Sequence, residues 1–361
     1  MVPKKQDVAP RRDLTVRDER IRRNLDVSCG VGLEIGPLFS PLVLRGEADI
    51  RYVDIQSAAD LREHYKGDPA VKLDDIVDAD YILIQADGSV LSVGEAAAAG
   101  APFDWILASH VIEHIPDLVA WFRDLSSIMS PGALLSLAIP DRRYCFDVLR
   151  PPTTVGDILL AHDNRDTRPS TRAVFDHFSS VVTVSTADLW KGVVPDSSAR
   201  IYTIDQAAGV LEQTRGGEYI DSHVWLFAPA EFVDQMSVLS QLGLLDFALV
   251  DIIPTVPGEL EYYATLERLP KDLGRDERKQ MFSANLDRLR AAVSASATDG
   301  GPSPVDDAPR STDAVSHNSP QASPYVEADR FAVSDRERKL LLAKRSALGV
   351  VRKNLRRLQK R

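Results

Sequence analysis

A chain of 361 residues with 44% hydrophobic and 27% charged residues has the composition of a folded protein, which excludes a low-complexity or fibrous one. Two cysteines, Cys29 and Cys145, exclude a disulfide framework and a cysteine-based zinc cluster, and each reads as a small buried apolar residue. The net charge of −10 is uneven: Asp335 to Arg361 holds eleven Lys/Arg against two Asp/Glu, which leaves −19 on the rest and argues against nucleic acid as a partner of the body.

The N-terminus, MVPKKQDVAPRRDLTVRDERIRRN, is too charged for a signal peptide, and residues 1–30 are expected to form a helical extension. No apolar run approaches the ~20 residues that span a bilayer, so a cytoplasmic protein is expected. VGLEIGP then reads as a strand running into a turn, IRYVDIQ as a strand ending at Asp54, and SAADLREHY as a helix. YILIQAD is read as a third strand ending at Asp87, and FDWILASH as a fourth ending at Ser109 and His110. A helix is expected from Pro116 to about Met129, followed by a turn and a fifth strand in SPGALLSLAIPD. Alternation of strand and helix predicts an α/β fold: a doubly wound, Rossmann-like sheet, mostly parallel, with an antiparallel closing strand from FALVDII and LEYYATLER. Ligands of such sheets sit beyond the carboxyl ends of the strands, so Glu34, Gly36, Asp54, Asp87, His110 and Asp141 should converge on one crevice.

Glu34 and Asp54 are 20 positions apart, the spacing of a dinucleotide-type site in which the second carboxylate binds ribose hydroxyls. The loop reads EIGPLFSPL, however, with one glycine and no phosphate cradle. That disfavours NAD and favours a ligand with ribose and adenine but no phosphate, such as S-adenosylmethionine. With LEIGPLFSPL, RYVDIQ, ADGSVLS, FDWILASHVIEHIPDL, SPGALLSLAIPD and DRRYCFD in this order, the chain resembles the class I S-adenosylmethionine-dependent methyltransferases, in a bacterial branch with a Glu-Ile-Gly first loop and a following Pro-Leu pair. The resemblance covers roughly residues 31–268. It implies that Glu34 orients the loop and faces the methionine ammonium, that Gly36 and Pro37 admit the cofactor, that Asp54 chelates the ribose, that Asp87 accepts from the adenine amino group, and that Ser109 and His110 line the sulfonium end.

SHVIEHIPDL also matches the His-x-x-Glu-His pattern of certain zinc proteases, which requires both histidines on one helix. His110 ends a predicted strand, and the protease reading fails. Three roles stay open for His110, Glu113 and His114. They cap the following helix and shape the pocket; or they act in catalysis, a histidine serving as general base; or they hold magnesium, as the resemblance to ubiquinone-pathway and small-RNA O-methyltransferases with Glu-x-x-Glu-His implies. His110 in place of the first glutamate weighs against magnesium, which prefers oxygen. The acceptor is expected on residues 142–220, whose Arg, Asp, His and aromatic content suits a sugar or glycan intermediate, with His162, His177 and His223 as further candidates. A noncatalytic partner protein of the same fold is the alternative.

Residues 269–295 are expected to be a helical extension, 296–324 a disordered linker dense in Ser, Pro, Asp and Gly, and 325–361 a basic helix. Leu341, Leu348, Val351, Leu355 and Leu358 share one face of that helix, which suits peripheral contact with an anionic membrane.

Overall fold

The computed structural model describes residues 13–299. The linker beyond Asp299 and the basic C-terminal helix lie outside the described residues. Strands β1 (Val31–Ile35), β2 (Asp49–Asp54), β3 (Tyr81–Ile82), β4 (Phe103–Ser109), β5 (Met129–Pro140), β6 (Phe247–Ile253) and β7 (Glu261–Arg268) form one sheet in the order β3-β2-β1-β4-β5-β7-β6. β7 alone runs antiparallel to its neighbours, and the other neighbouring pairs, β1–β2, β1–β4, β2–β3 and β4–β5, are parallel. This is the doubly wound, mixed sheet expected from the sequence.

Helices α1 (Val16–Ile21), α2 (Ala58–His64), α3 (Val93–Ala97), α4 (Leu118–Ser127), α5 (Val155–Asn164), α6 (Thr171–Ser180), α7 (Thr186–Leu189), α8 (Ile204–Arg215), α9 (Pro229–Leu242) and α10 (Arg275–Asp299) connect and cover it. Residue alternation along β4 explains why both faces are covered. Ile106 and Ala108 join a core with Leu118, Phe122 and Leu125 of α4, Phe232 and Met236 of α9, and Phe282 and Leu289 of α10. Trp105 and Leu107 face the other way, onto Ile21 of α1 and the loop residues Leu42 and Val43. A strand with apolar residues on both faces suits only a buried parallel position. Close packing also fixes Gly32, where an added Cβ would fall about 2.1 Å from the Trp105 ring.

Several expectations are corrected. The third strand is only Tyr81–Ile82, because Gln85 N–H bonds the Ser89 carbonyl and Ile84 bridges Val90, so the chain turns back. Asp87 therefore sits on the exposed tip of a turn rather than at a strand end. The helix after the fourth strand starts at Leu118 and is capped by Asp117, which accepts from Ala120 N–H at 2.9 Å; Glu113 and His114 lie outside it, in a 3-10 turn over Ile112–His114. Cys29 is exposed, and Cys145 is buried as expected. The chain leaves the sheet after Pro140 and returns where Arg142 N–H bonds the Phe227 carbonyl, so the expected 142–220 region extends to residue 226. α10 reaches Asp299, past the anticipated end at residue 295, and packs on β6 and α9. No helix among the described residues is long and apolar enough to cross a membrane.

Candidate active site

Strand order reverses between β1 and β4, and the crevice beyond their carboxyl ends is the expected ligand site. On the β1 side, the buried Glu34 carboxylate accepts Leu42 N–H at 2.7 Å and Val43 N–H at 3.1 Å, which ties the far end of the loop back to the strand. Gly36 has φ +65° while its N–H bonds the Val53 carbonyl, a conformation that favours glycine. Leu38 has φ +47°, so a second left-handed residue stands in the loop where no second glycine is present, at a cost of about 1 kcal/mol. Pro37 is buried between them. The half-buried Asp54 ends β2, and one of its carboxylate oxygens accepts Ile55 N–H at 2.7 Å. Asp87 accepts from Ser89 N–H and Oγ at 2.9 and 2.7 Å, organising its own turn, and these bonds hold its carboxyl below the usual range. That turn hangs next to β2, because Leu83 and Ile84 N–H groups bond the carbonyls of Asp54 and Ile55.

On the β4 side, His110 takes φ +52° and is buried. Its Nε2 lies 2.6 Å from Glu261 and its Nδ1 3.5 Å from Glu113. The Glu261 contact fixes the orientation of the His110 ring and turns its Nδ1 edge toward Glu113. Glu261, at the start of β7, also accepts Arg17 in a fork (2.6 and 2.9 Å) and the Tyr263 hydroxyl (2.7 Å), and Arg17 donates to Ser109 Oγ at 2.6 Å. Burial alone would raise the Glu261 carboxyl, but Arg17 and His110 outweigh it and hold it well below the usual carboxylate range.

Glu113 is fully buried, and the oxygen that faces His110 also has His114 Nε2 at 3.8 Å. Its carbonyl accepts Val224 N–H at 2.7 Å, which stitches this turn to the returning segment and brings in His223. The two histidine rings stand edge to face, 4.8 Å apart. His114 Nδ1 is 2.8 Å from Asp221, and His223 Nδ1 is 2.6 Å from Asp147. The carboxylates at Nδ1 orient both rings, and in a neutral imidazole so held Nε2 is the acceptor nitrogen. Burial opposes ionisation of Asp147, but His223 and Arg150 more than offset it and hold the carboxyl far below its ordinary value. Phe146, His177 and His223 pack edgewise and tilted as one ring cluster, and Phe178 bridges His177 to Tyr202.

His162 is elsewhere, on Asp117 and Arg123. His177 serves the fold, its Nδ1 accepting His223 N–H at 3.3 Å. Sequence reasoning named His223 but missed its partners Asp147 and Asp221, and it missed Arg17 and Glu261. The Thr15–Asp18 capping box was a readable sign that a helix begins at Val16, but not of where Arg17 would reach.

A metal can be tested against these donors. Glu113, His114 and His223 each offer one atom, all within 4.8 Å of one another. Two nitrogens and one carboxylate suit a nitrogen-preferring divalent ion such as zinc or iron(II). They do not suit magnesium, and His110, committed to Glu261, is not in the set.

A family model described as a methyltransferase domain matches residues 6–191, more than half of the chain. The chain belongs to that family. It carries an S-adenosylmethionine-dependent methyltransferase domain with the seven-stranded sheet described above. It is similar, at 32% identity over 120 residues, to a ubiquinone biosynthesis O-methyltransferase of Parvibaculum lavamentivorans; the match covers 33% of this chain and 41% of the relative, so the chain spans less than half of that protein's length. Among solved structures, it is similar to an S-adenosylmethionine-dependent methyltransferase from Mesorhizobium loti (13% identity, TM-score 0.34, 70% of this chain and 98% of that one). It is also similar to the CcbJ methyltransferase from Streptomyces caelestis (10% identity, TM-score 0.34, 70% and 94%). The assignment rests on the family match and the strand order, not on these structural scores.

Proposed function

We propose that this methyltransferase transfers the methyl group to a hydroxyl oxygen of a small-molecule acceptor, with His114 as general base. The observation that carries this reading is the Asp221–His114 pair, in which a carboxylate 2.8 Å from Nδ1 orients a partly exposed imidazole whose Nε2 lies beside Glu113. S-adenosylmethionine supplies an electrophilic methyl group on a sulfonium. Glu34, Gly36, Pro37, Asp54, Asp87, Ser109 and His110 would hold it along the crevice. His114 takes the hydroxyl proton at Nε2 as the oxygen attacks, and Asp221 stabilises the resulting imidazolium through Nδ1–H. Glu113 adds a buried negative charge beside the same ring. The relative's description as an O-methyltransferase supports oxygen as the acceptor atom.

For the acceptor itself we keep a hydroxyl-rich ring, a sugar or glycan intermediate, with its apolar face on Phe146 and its polar edge toward His114 and His223. A radiolabelled methyl-transfer assay over polyhydroxylated and phenolic acceptors tests this. Methylation of phenols alone would overturn the sugar class, and transfer to nitrogen acceptors alone would overturn the oxygen reading. A second reading, a divalent ion on Glu113, His114 and His223, is favoured by the clustering of their donor atoms. Treatment with chelator separates it from the base: activity lost and then restored by zinc or iron(II), but not magnesium, would favour the ion. The basic residues between Arg336 and Arg361 support peripheral contact with an anionic membrane, tested by vesicle co-sedimentation of the full chain and a version ending at Pro324.

A further inference from the structure

Arg17 belongs to a helix before the sheet begins, yet its guanidinium ends at the mouth of β4. Three contacts fix it there: two N–H groups on the Glu261 carboxylate, and the Ser109 hydroxyl oxygen at 2.6 Å from Nη2. Behind it the segment is anchored independently. Ile21 is fully buried against the sheet, Ser136 Oγ donates to the Ile21 carbonyl, and Arg22 reaches the Leu42 carbonyl and Glu47. Leu42 is also one of the two residues whose N–H groups hold Glu34. The N-terminal segment therefore touches both walls of the crevice, the β1 loop through Arg22 and the end of β4 through Arg17.

The end of β4 needs such a restraint. His110 is a non-glycine residue with φ +52°, a conformation costing on the order of 1 kcal/mol that persists only where neighbours impose it. Its backbone N–H is held by the Ala138 carbonyl, and its ring by Glu261. Glu261 is itself a fixed acceptor only because Arg17 and the Tyr263 hydroxyl orient it. Removing the guanidinium leaves a buried carboxylate short of two charge-assisted bonds and releases Ser109 at once.

We propose that Arg17 is a positioning residue of the cofactor site, holding Ser109 and His110 in the conformation that receives S-adenosylmethionine. The inference rests on the placement of Ser109 and His110 at the sulfonium end of the cofactor. It makes the helix before the first strand part of the active site rather than an appendage. A lysine keeps the charge but cannot span Glu261 and Ser109 with a planar fork, so Arg17→Lys should retain only part of the effect.

Calorimetric titration of S-adenosylmethionine into the full-length chain and its variants tests this. Arg17→Met should weaken binding roughly tenfold or more, the loss expected for charge-assisted hydrogen bonds, and Arg17→Lys by less. Arg23→Met removes the ion pair of an exposed guanidinium just after the same helix, to Asp251, and should leave the affinity unchanged. Nitrogen NMR of the histidine rings supplies a second readout: the His110 Nε2 signal should move in both Arg17 variants and not in Arg23→Met. Wild-type affinity in a folded Arg17→Met protein would overturn the proposal. If that variant does not fold, Arg17→Lys with wild-type affinity and an unmoved His110 signal would overturn it equally. Failure of the unsubstituted protein to bind would instead count against the cofactor site as a whole.

Discussion

At the cofactor end of the crevice, Glu34 gives both carboxylate oxygens to backbone N–H groups eight and nine residues further along its own loop. At the acceptor end, Asp147 and Asp221 give theirs to histidine rings 76 and 107 residues away. The first end is a local brace; the second depends on the chain leaving the sheet after Pro140 and coming back beside Arg142 at Phe227. On the proposed reading, binding the cofactor and activating the acceptor are separable, and substitutions at one end should spare the other.

The largest separation is expected at His114. His114→Ala should lower turnover by roughly 10²–10⁴, the range for loss of a general base, while the dissociation constant for S-adenosylmethionine stays within about twofold. Equal losses in both quantities would break the comparison, since the two ends would then be one unit. Asp221→Asn should lower turnover less, because the ring keeps its position but loses the carboxylate that stabilises its charged form.

Asp147 tests the fold side of the acceptor end. Its carboxylate is buried with Arg150 and His223, and Asp147→Asn should destabilise the protein by about 3 kcal/mol by leaving the guanidinium without its partner. The folded-state value is depressed, so the contribution is fully present above the usual carboxylate value of about pH 4 and fades as pH falls toward the depressed one. The wild type should lose stability across that acid window more steeply than Asp147→Asn in denaturant melts at pH 2–7. Parallel pH profiles would remove Asp147 from the acid response.

At the cofactor end, Asp54→Ala should weaken S-adenosylmethionine binding by about 1.5–3 kcal/mol with the melting temperature nearly unchanged, because the side chain stands at a strand mouth. Calorimetry would exclude Asp54 from the site if the affinity held.

What the sequence allowed follows the same division. The apolar runs of β4 and β5, the glycine at 36 and the acidic strand end at Asp54 are features of short windows, so the doubly wound sheet, the loop after β1 and the end of β2 could be inferred from them. Contacts between distant segments could not. Arg17 and Glu261 are 244 residues apart and His110 and Glu261 151, and neither spacing leaves a periodic trace. His110 was expected among the catalytic residues because it stands in SHVIEHIPDL, and its contact with Glu261 of β7 has no sign in that window. Asp87 was misplaced for a different reason. YILIQAD has the apolar content of a strand, and the turn that ends it, ADGS, is formed by the Asp87 side chain itself.

Asp87 carries the smallest expected effect and the sharpest local question, since its carboxylate already serves its own turn and stands in solvent. If its other lone pairs also accept from the adenine amino group, Asp87→Ala should weaken S-adenosylmethionine roughly two- to tenfold, the range of an exposed hydrogen bond. Loosening of the turn would give a similar loss, so affinity alone does not decide. An analogue with hydrogen in place of the amino group does. The wild type should bind it less tightly than S-adenosylmethionine, and Asp87→Ala should bind the two alike, because the partner of the missing group is gone. A variant that still discriminates between them to the wild-type extent would confine Asp87 to its turn and leave adenine recognition to backbone groups between Ile82 and Gln85.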